Sequence, residues 1–281
     1  MLAWCVSKSR AETSVLIASY NTRELLLQAL TSTAREPRVE TIVVDNASAD
    51  GSADAVAEHF PDVTLVRSSS NLGFAGGTNR AACEARGRYL LLLNPDAALM
   101  PGALDALLEL ARCHERLGAV GPALVYPDGR LQSAAFRFPG LVQVLLDLFP
   151  VPRLMDTRLN GRIQSSVATR IDHPMGACML IPRAAWEAVG PLDEGYFMYL
   201  EEVDWCRRAR AQGWETWYEP RARVIHHAGA ATRQQRNAMY AQLWRSRLRY
   251  YQRYHGPLYN RMIRGLVRAG VRDPTVRQLV T

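Results

Sequence analysis

Residues 89–96 read Tyr-Leu-Leu-Leu-Leu-Asn-Pro-Asp. The apolar run is too short for a membrane span or a long helix, and it stops abruptly at the Asn-Pro-Asp tripeptide. This pattern predicts a buried parallel strand that delivers the Asp96 carboxylate to the carboxyl edge of a sheet, where open α/β sheets bind ligands. A second apolar run, residues 41–44, ends in Asp45 in the same way. Two strands ending in acids predict a site for a nucleotide and a divalent metal.

The composition is that of an ordinary globular protein. Of the 281 residues, 48% are hydrophobic and 22% are charged, enough for one large domain or a domain with an appendage. No run approaches the roughly 20 apolar residues of a membrane-spanning helix, and residues 1–12 lack the apolar core of a signal peptide. The five scattered cysteines predict reduced, mostly buried thiols. We therefore expect a cytoplasmic protein, soluble or peripheral at the inner face of the plasma membrane.

The charge is distributed unevenly. Residues 221–281 contain thirteen arginines and one acid, whereas residues 1–220 carry 21 basic and 26 acidic side chains. One stretch of this tail mixes arginines with aromatic residues: Trp244, Arg245, Arg247, Arg249, Tyr250, Tyr251, Arg253 and Tyr254. Such a stretch suits an anionic membrane surface, and nucleic acid less well. A helix that packs on the domain through its aromatic side chains is the simpler alternative.

The first 115 residues alternate short apolar strands with helices, which predicts βαβ units and a Rossmann-like, mostly parallel sheet flanked by helices. The predicted strands are residues 13–18, 41–44, 63–66 and 89–93, and the predicted helices are residues 22–34, 52–59, 75–86 and 101–115.

The second half is less regular. A Pro-Asp-Gly turn between residues 120–125 and 131–138 predicts a hairpin. Residues 139–172 have weak periodicity, so we expect a mobile excursion that contributes to a substrate-covering loop. The later predicted elements are strands at 177–181, 214–218 and 223–226, a helix at 201–211, and helices beyond residue 232.

A glycine-rich segment, Asn71–Asn79, lies between a predicted strand and a predicted helix. Glycines let backbone amides approach a ligand closely, and the start of a helix is electropositive, so the segment favours a diphosphate. It matches neither the dinucleotide fingerprint nor the phosphate-binding loop of ATPases. A tight loop with a purely structural role is the alternative.

Three acids, Glu201, Glu202 and Asp204, begin one predicted helix, where the helix dipole favours negative charge. Glu201 and Asp204 share a face while Glu202 points elsewhere, which suits one carboxylate for catalysis and the others for orientation. Helix capping alone is the alternative. His226 and His227 follow a predicted strand, whose alternation sends the two rings to opposite sides, so one could reach a metal while the other packs. A purely structural histidine is the alternative.

These segments in this order resemble the inverting family-2 glycosyltransferases with the GT-A fold, particularly the rhamnosyltransferase-like branch. The resemblance spans residues 13 to about 230. The matching segments are Ser19–Asn21, Val43–Ser48, Asn71–Asn79, Leu93–Asp96, Gly176–Cys178, Asp193–Arg207 and His226.

The resemblance implies a role for each donor-side residue. Asp45 would hydrogen-bond the nucleobase, and Ser19, Tyr20 and Asn21 would line the nucleoside pocket. The remaining residues implied in nucleotide-sugar binding are Asn46, Asn71, Gly73, Gly76, Gly77, Asn79 and Asn94. Asp96 matches the last acid of the family's D-x-D metal motif, whose first acid is replaced here by Asn94.

The resemblance also implies the catalytic residues. His226 would complete the shell of a Mg²⁺ or Mn²⁺ ion. Glu202 lies where the family carries an aspartate base, with Glu201 and Asp204 as reserves. Facing the acceptor would be Gly176, Ala177 and Cys178.

The implied organisation is an N-terminal extension (1–12), a GT-A domain (13–231) and a basic helical tail (232–281). Within the domain, residues 13–115 would bind the nucleotide sugar and residues 116–231 would form a small acceptor-side subregion.

The implied function is metal-dependent, inverting transfer of a sugar from a nucleoside-diphosphate donor to a growing surface glycan, such as an O-antigen, with a glycan or lipid-linked glycan as acceptor. The favoured donor is dTDP-rhamnose. A catalytically degenerate GT-A protein is one alternative. A sugar-phosphate nucleotidyltransferase is another, although residues 18–22 lack its glycine-rich loop with Arg and Lys. The sequence leaves the acceptor and any oligomer open.

Overall fold

The computed structural model of the chain describes residues 11–36, 38–155, 157–229 and 236–280. Most of the predicted N-terminal extension and the first residues of the predicted tail lie outside these ranges. The strands are β1 (Thr13–Ser19), β2 (Val39–Asp45), β3 (Thr64–Arg67), β4 (Tyr89–Leu93), β5 (Ala97–Leu99), β6 (Leu117–Val125), β7 (Ala135–Phe136), β8 (Thr169–Ile171), β9 (His173–Pro174), β10 (Cys178–Pro182) and β11 (Glu215–His226).

Helices flank these strands. They are α1 (Arg23–Thr33), α2 (Ser52–His59), α3 (Gly73–Glu84), α4 (Ala103–Cys113), α5 (Leu141–Leu148), α6 (Pro152–Met155), α7 (Arg183–Val189), α8 (Glu201–Ala211), α9 (Arg236–Tyr254), α10 (Pro257–Gly270) and α11 (Pro274–Gln278). A short 3₁₀ helix covers Arg158–Asn160. No helix within the described ranges is both long enough and apolar enough to cross a membrane.

The central sheet has the strand order β3-β2-β1-β4-β10-β6-β11-β5, and β8 pairs with β11. Strands β1 to β4 are parallel, β10 is antiparallel to both β4 and β6, and β11 returns parallel to β6. The carboxyl ends of β1, β2 and β4 therefore meet at one edge. The mostly parallel sheet expected from the sequence is confirmed.

The leucine run of β4 is buried because helices cover both faces of the sheet. Leu91 and Leu93 pack in a cluster with α1 and α4 on one face. Leu90 and Leu92 pack with α3, α7 and α8 on the other face. Side chains alternate between the faces of a strand, so a strand buried on both faces needs a continuous apolar sequence.

The second half differs from prediction in three places. The turn after β6 forms, but its second arm adds only the Val125–Leu131 bridge, and β7 pairs with β9 instead. The expected excursion at residues 139–172 contains regular elements, and its helix α5 packs against α10. The two predicted short strands after residue 213 are one bulged strand, β11.

The C-terminal helices pack on the domain through their aromatic side chains. Trp244, Tyr250 and Tyr251 are buried in a cluster with Tyr196 and Val203 of the body. Three tail arginines pair with acids of the body, in the pairs Arg247–Asp147, Arg249–Asp193 and Arg253–Asp193. The structure therefore favours the simpler alternative, a helix packed through its aromatic side chains, and does not support the expected membrane surface.

Of the cysteines in the described ranges, Cys178 and Cys206 are buried, whereas Cys83 and Cys113 are exposed. All four are unpaired thiols, as expected, but only half of them are buried.

Candidate active site

A cavity of about 590 Å³ opens at the carboxyl edge of the sheet. Its walls come from the ends of β1, β2 and β4, the start of α8, the β7–β9 pair, α5 and α9. The predicted site residues that line it are Tyr20, Asn46, Asn71, Gly73, Asn94, Asp96, Gly176, Ala177, Glu201, Glu202 and His226. The structure thus gathers the predicted metal ligands, the predicted base and part of the acceptor-facing segment around one space.

Asp96 and His226 face each other in this cavity. Antiparallel pairing of β11 with β5 places His226 beside Ala97, next to the acid that follows β4. The Nε2 atom of His226 lies 3.5 Å from Oδ1 of Asp96, and both side chains are buried. Two residues 130 positions apart in the sequence are therefore fixed as a pair by one strand pairing.

Gln132 orients the His226 ring. Its amide nitrogen donates to the His226 carbonyl at 2.6 Å, so its amide oxygen lies toward Nδ1, at 2.9 Å. Because an amide oxygen can only accept, Nδ1 carries a hydrogen, and Nε2 is the ring nitrogen that faces Asp96.

This donor set fits a hard divalent ion. An aspartate oxygen and an imidazole nitrogen can both ligate such an ion, and a hydrogen bond to the second ring nitrogen is typical of histidine ligands. No group of three or more His, Cys, Asp or Glu ligands occurs in the described ranges. Two protein ligands leave coordination positions for phosphate oxygens, as in many Mg²⁺ sites.

Glu201 and Glu202 begin α8 in the cavity wall. The chain enters this helix through two non-glycine residues with left-handed φ angles, Tyr199 (70°) and Leu200 (67°). Residues in this region cost about 1–3 kcal/mol each and tend to occur at functional sites. The fold therefore holds the two carboxyl groups where local backbone preference alone would not.

Burial raises the pKa of both glutamates. The pKa of Glu202 is raised to about 7, an effect of burial that the backbone amides of residues 202, 203 and 176 partly oppose. The pKa of Glu201 is also raised, first by burial and then by the charge of Glu202. The Oε2 atom of each has no hydrogen-bond partner among the described residues. A carboxyl group that titrates near neutrality in a cavity suits a general base.

The three residues predicted to face the acceptor do not all lie in the cavity. Gly176 lies against the base, since a Cβ atom there would sit 3.2 Å from the Glu202 carboxyl carbon. The Ala177 carbonyl accepts from the Asn94 amide at 2.9 Å, which joins this segment to the end of β4. Cys178, by contrast, is buried in β10 opposite Leu93. Its side chain belongs to the core, and burial raises the pKa of its thiol.

Asp204 has a structural position. Its fully buried carboxylate accepts hydrogen bonds from Tyr254 (2.8 Å) and Tyr196 (3.4 Å) and pairs with Arg208 at 2.9 Å. These contacts tie α8 to α9. As a reserve base, Asp204 is therefore disfavoured, because its oxygens are engaged away from the cavity.

Two of the residues predicted to line the nucleoside pocket, Ser19 and Asn21, form hydrogen bonds within the protein. The Asn21 amide donates to the Ser48 hydroxyl at 3.0 Å, and the Asn21 side chain accepts from the Ala49 amide at 2.8 Å. Ser19, in register with Asp45, shares a hydrogen bond with Thr22. Ser19 and Asn21 thus brace the loops after β1 and β2.

Asp45 uses one carboxylate oxygen internally, accepting from the Ser48 amide at 3.1 Å. Its buried Oδ1 atom has no hydrogen-bond partner in the described part of the chain. A spare buried acceptor at the strand end is the group that an N–H of a pyrimidine base would satisfy.

The glycines of α3 serve close packing. Gly73 has φ of +73°, and a Cβ atom there would lie 2.1 Å from the Phe197 carbonyl oxygen. Its amide donates to the Asn71 side chain, and the Phe74 amide donates to the Phe197 carbonyl. Because these helix-start amides are already bonded, the structure does not support the expected diphosphate contact through them.

Two further glycines and Asn79 face inward. A Cβ atom on Gly77 would lie 2.7 Å from the Ala18 Cβ atom, and one on Gly76 would lie 3.0 Å from that of Leu72. The Asn79 side chain donates to the Leu192 carbonyl at 2.9 Å and accepts from the Leu192 amide. These residues pack α3 against the sheet and against the loop before α8. Such packing agrees with the alternative that the glycine-rich segment has a structural role.

Several residues that line the cavity or support its side chains were not predicted from the sequence. Gln132 and the stacked rings of Phe136 and His173, 5.4 Å apart, have no motif around them. Burial lowers the pKa of His173 to about 4, so this ring is neutral at pH 7. The arginines of the cavity come from residues 137, 162 and 247. Only the arginine excess of the tail hinted at the last of these.

The family model for "Glycosyl transferase family 2" matches residues 14–189. The chain belongs to this family. The matched region contains β1 to β4, Asp96 and the acceptor-facing segment, although it stops before α8 and His226.

Curated relatives of this glycosyltransferase include rhamnosyltransferases. It is 33% identical over 217 residues to N-acetylglucosaminyl-diphospho-decaprenol L-rhamnosyltransferase of Mycobacterium tuberculosis, covering 72% of this chain and 70% of the relative. It is 25% identical over 185 residues to rhamnosyltransferase WbbL of Escherichia coli, covering 62% and 67%. The recognition of a family-2 enzyme of the rhamnosyltransferase-like branch is confirmed.

Solved structures of glycosyltransferases share the fold. The glycosyltransferase superposes on a Pyrobaculum calidifontis mannosyltransferase in complex with GDP-Man and Mn²⁺ with a TM-score of 0.57 and 17% identity, covering 96% of this chain and 79% of the other. It superposes on Staphylococcus aureus TarS in complex with UDP with a TM-score of 0.55 and 15% identity, covering 90% and 69%. The predicted GT-A fold is thus confirmed, and the nucleotidyltransferase alternative is not supported.

Proposed function

We propose that the enzyme is a metal-dependent, inverting glycosyltransferase that moves rhamnose from dTDP-rhamnose to a hydroxyl of a lipid-linked surface glycan. The observation that carries this proposal is the placement of Glu202 in the same cavity as the Asp96–His226 pair. A base for the acceptor and ligands for a metal-bound diphosphate are the two groups that a single displacement at an anomeric carbon requires.

The reaction follows from these positions. Glu202 accepts the proton of the acceptor hydroxyl, whose oxygen attacks the anomeric carbon from the face opposite the diphosphate. The new carbon–oxygen bond forms as the bond to the diphosphate breaks, and the nucleoside diphosphate leaves with the bonding electrons. Asp96 and His226 would hold the divalent ion, which when bound neutralises charge on the leaving diphosphate.

The donor assignment rests on two supports. The spare Oδ1 atom of Asp45 suits the ring N–H of a uracil or thymine base. Both relatives described above carry names that specify rhamnosyl transfer. The first support favours a pyrimidine nucleotide and the second favours rhamnose as the sugar; dTDP-rhamnose meets both.

The acceptor assignment draws on the Mycobacterium tuberculosis relative, whose name specifies a diphospho-decaprenol acceptor. A lipid-linked acceptor places the enzyme at the cytoplasmic face of the plasma membrane. Trp244, Tyr250 and Tyr251 of α9 are buried, so contact with the membrane would fall to other surfaces. Residues 13–115 would then bind the donor, and residues 116–231 with the tail would bind the acceptor.

Release of nucleoside diphosphate tests the proposal. The purified chain is incubated with dTDP-rhamnose, UDP-glucose, UDP-galactose or GDP-mannose, with and without Mn²⁺. We expect Mn²⁺-dependent release from dTDP-rhamnose, loss of that release in Asp96→Asn, and no loss in the exposed control Asp128→Asn. Saturable nucleotide binding without release from any donor, even with lipid-linked acceptor present, would instead favour the catalytically degenerate protein.

A further inference from the structure

Three arginines line the cavity in addition to the residues used above. They are Arg137, Arg162 and Arg247. All three come from the second half of the chain, whereas Asp45 and Asp96 come from the first. The arginines therefore form a charged wall that is separate from the ends of the parallel strands.

Arg137 and Arg162 lie on neighbouring paired segments. Phe136 of β7 forms a bridge with Arg162, and the Arg137 amide donates to the Gly161 carbonyl at 2.7 Å. The Arg137 side chain is 64% exposed and lies 3.8 Å from Asp172, an acid that pairs more closely, at 2.7 Å, with Arg210. The guanidinium of Arg137 is therefore only loosely held by the protein.

Arg247 reaches the cavity from α9. Met239, Leu243, Arg247 and Tyr251 line the cavity at four-residue spacing, so one face of this helix forms the wall. Arg247 pairs at 2.6 Å with Asp147 of α5, which also lines the cavity. Asp147 offsets the charge of Arg247 and fixes this arginine in position.

We propose that these arginines bind the diphosphate of a polyprenyl-linked acceptor; the inference rests on the proposed function and names the residues that recognise its second substrate. Guanidinium groups match phosphate oxygens in geometry and charge. The donor diphosphate is assigned to the Asp96–His226 pair, which leaves the arginine wall to another anion.

The connection to the base supports this assignment. Strand β7 pairs with β9, and the chain then runs through residues 175 and 176 to the Glu202 carboxyl. The bound diphosphate, the sugar attached to it and Glu202 would therefore share one cavity.

An apolar stripe borders the same wall. Met239 and Leu243 line the cavity on the same face of α9 as Arg247. An apolar strip beside a polyanion site has the polarity of a lipid diphosphate, so we assign it to the first isoprenoid units of the acceptor.

The test compares two acceptors with the full chain. One is N-acetylglucosaminyl diphosphate carrying a decyl chain, and the other is decyl N-acetylglucosaminide, which lacks the diphosphate. The variants are Arg137→Gln and Arg162→Gln, with Arg130→Gln as a matched control in an exposed turn. We expect KM for the diphosphate acceptor to rise roughly tenfold to a hundredfold in the two variants, as for lost charged hydrogen bonds. KM for the donor, KM for the decyl glycoside and all values of the control should not change.

A second arm does not depend on the acceptor sugar. Binding of decyl diphosphate, measured by tryptophan fluorescence, should weaken by a similar factor in both arginine variants. The preference for decyl over ethyl diphosphate should shrink in Leu243→Ser. Turnover with unchanged diphosphate-acceptor KM and unchanged decyl diphosphate binding would overturn the subsite alone. A rise in donor KM would reassign the arginines to the donor, and absence of turnover with every donor would refute the proposed function instead.

Discussion

The donor side and the acceptor side of this cavity are built in different ways. The donor side, residues 13–113, repeats a strand-helix unit whose strands end at one edge. The acceptor side is assembled from β7, β9, the start of α8 and α9, which are far apart in the sequence. The regular half positions Asp96 at one sheet edge, and the irregular half places His226, Glu202 and three arginines around the same cavity.

The largest expected effect is at the acceptor side. Glu202→Gln keeps the size of the side chain but cannot accept a proton, so kcat should fall by roughly 10²–10⁴. Donor affinity, measured by nucleotide-sugar titration, should stay the same. Glu187→Gln on the exposed face of α7 is the matched control. If donor affinity fell as much as kcat, Glu202 would take part in donor binding, and the two sides would not have separate functions.

The corresponding change on the donor side is Asp96→Asn. Weakened metal binding should lower turnover by on the order of 10²–10³, because the charge on the departing diphosphate loses several kcal/mol of stabilisation. Unlike the change at Glu202, it should also raise KM for the donor. Steady-state kinetics over a Mn²⁺ series measures both, and full activity without added metal in a chelator would contradict the assigned site.

Asp204→Asn separates structure from catalysis within one helix. Removing this buried charge leaves Arg208 without its ion-pair partner and weakens the hydrogen bonds from Tyr254 and Tyr196, so the free energy of unfolding should fall by about 3 kcal/mol. Urea unfolding measures the change, with Asp128→Asn as the exposed control. Below the unfolding transition, kcat should stay near that of the wild type; a loss as large as that of Glu202→Gln would make Asp204 part of the chemistry.

A smaller effect is expected at Gln132, which joins the two sides. Gln132→Leu frees the His226 ring from its fixed orientation, so the apparent Mn²⁺ affinity should fall by roughly 10–100-fold. Saturating Mn²⁺ should restore most of the activity. An unchanged Mn²⁺ affinity would show that the hydrogen bond between Nδ1 and Gln132 does not orient His226 as a metal ligand.

The smallest effect concerns pH. Glu202 must be ionised to act as a base, and burial raises its pKa to about 7, so kcat should fall tenfold for each pH unit below 7 and level off above it. The residual activity of Glu202→Gln should lack this limb. A profile that is flat down to about pH 5 would show that another group takes the proton.

The sequence predicted the donor side well because its evidence is local. Each strand and helix of residues 13–113 has its own apolar period and its own polar ending, and the helix Glu201–Ala211 was predicted at its observed bounds. Asp96, Glu202 and His226 were named from motifs and meet in one cavity.

The acceptor side could not be predicted because its contacts depend on packing. Nothing near Gln132 in the sequence shows that it will meet His226, which lies 94 residues later. The aromatic residues of α9 looked like a membrane surface because burial against Tyr196 and Val203 has no local signal. The glycines of α3 suggested a phosphate loop, whereas their small size is used where α3 contacts β1 and Phe197.

The most direct test of the account is the anomeric configuration of the product. Rhamnose is transferred from dTDP-rhamnose to N-acetylglucosaminyl diphosphate carrying a decyl chain. NMR of the purified product then reports the stereochemistry at the anomeric carbon. A single displacement with Glu202 as base predicts a configuration opposite to that of the donor. Retention would require two displacements and a covalent or equivalent intermediate, and it would contradict the assignment of Glu202 as a base.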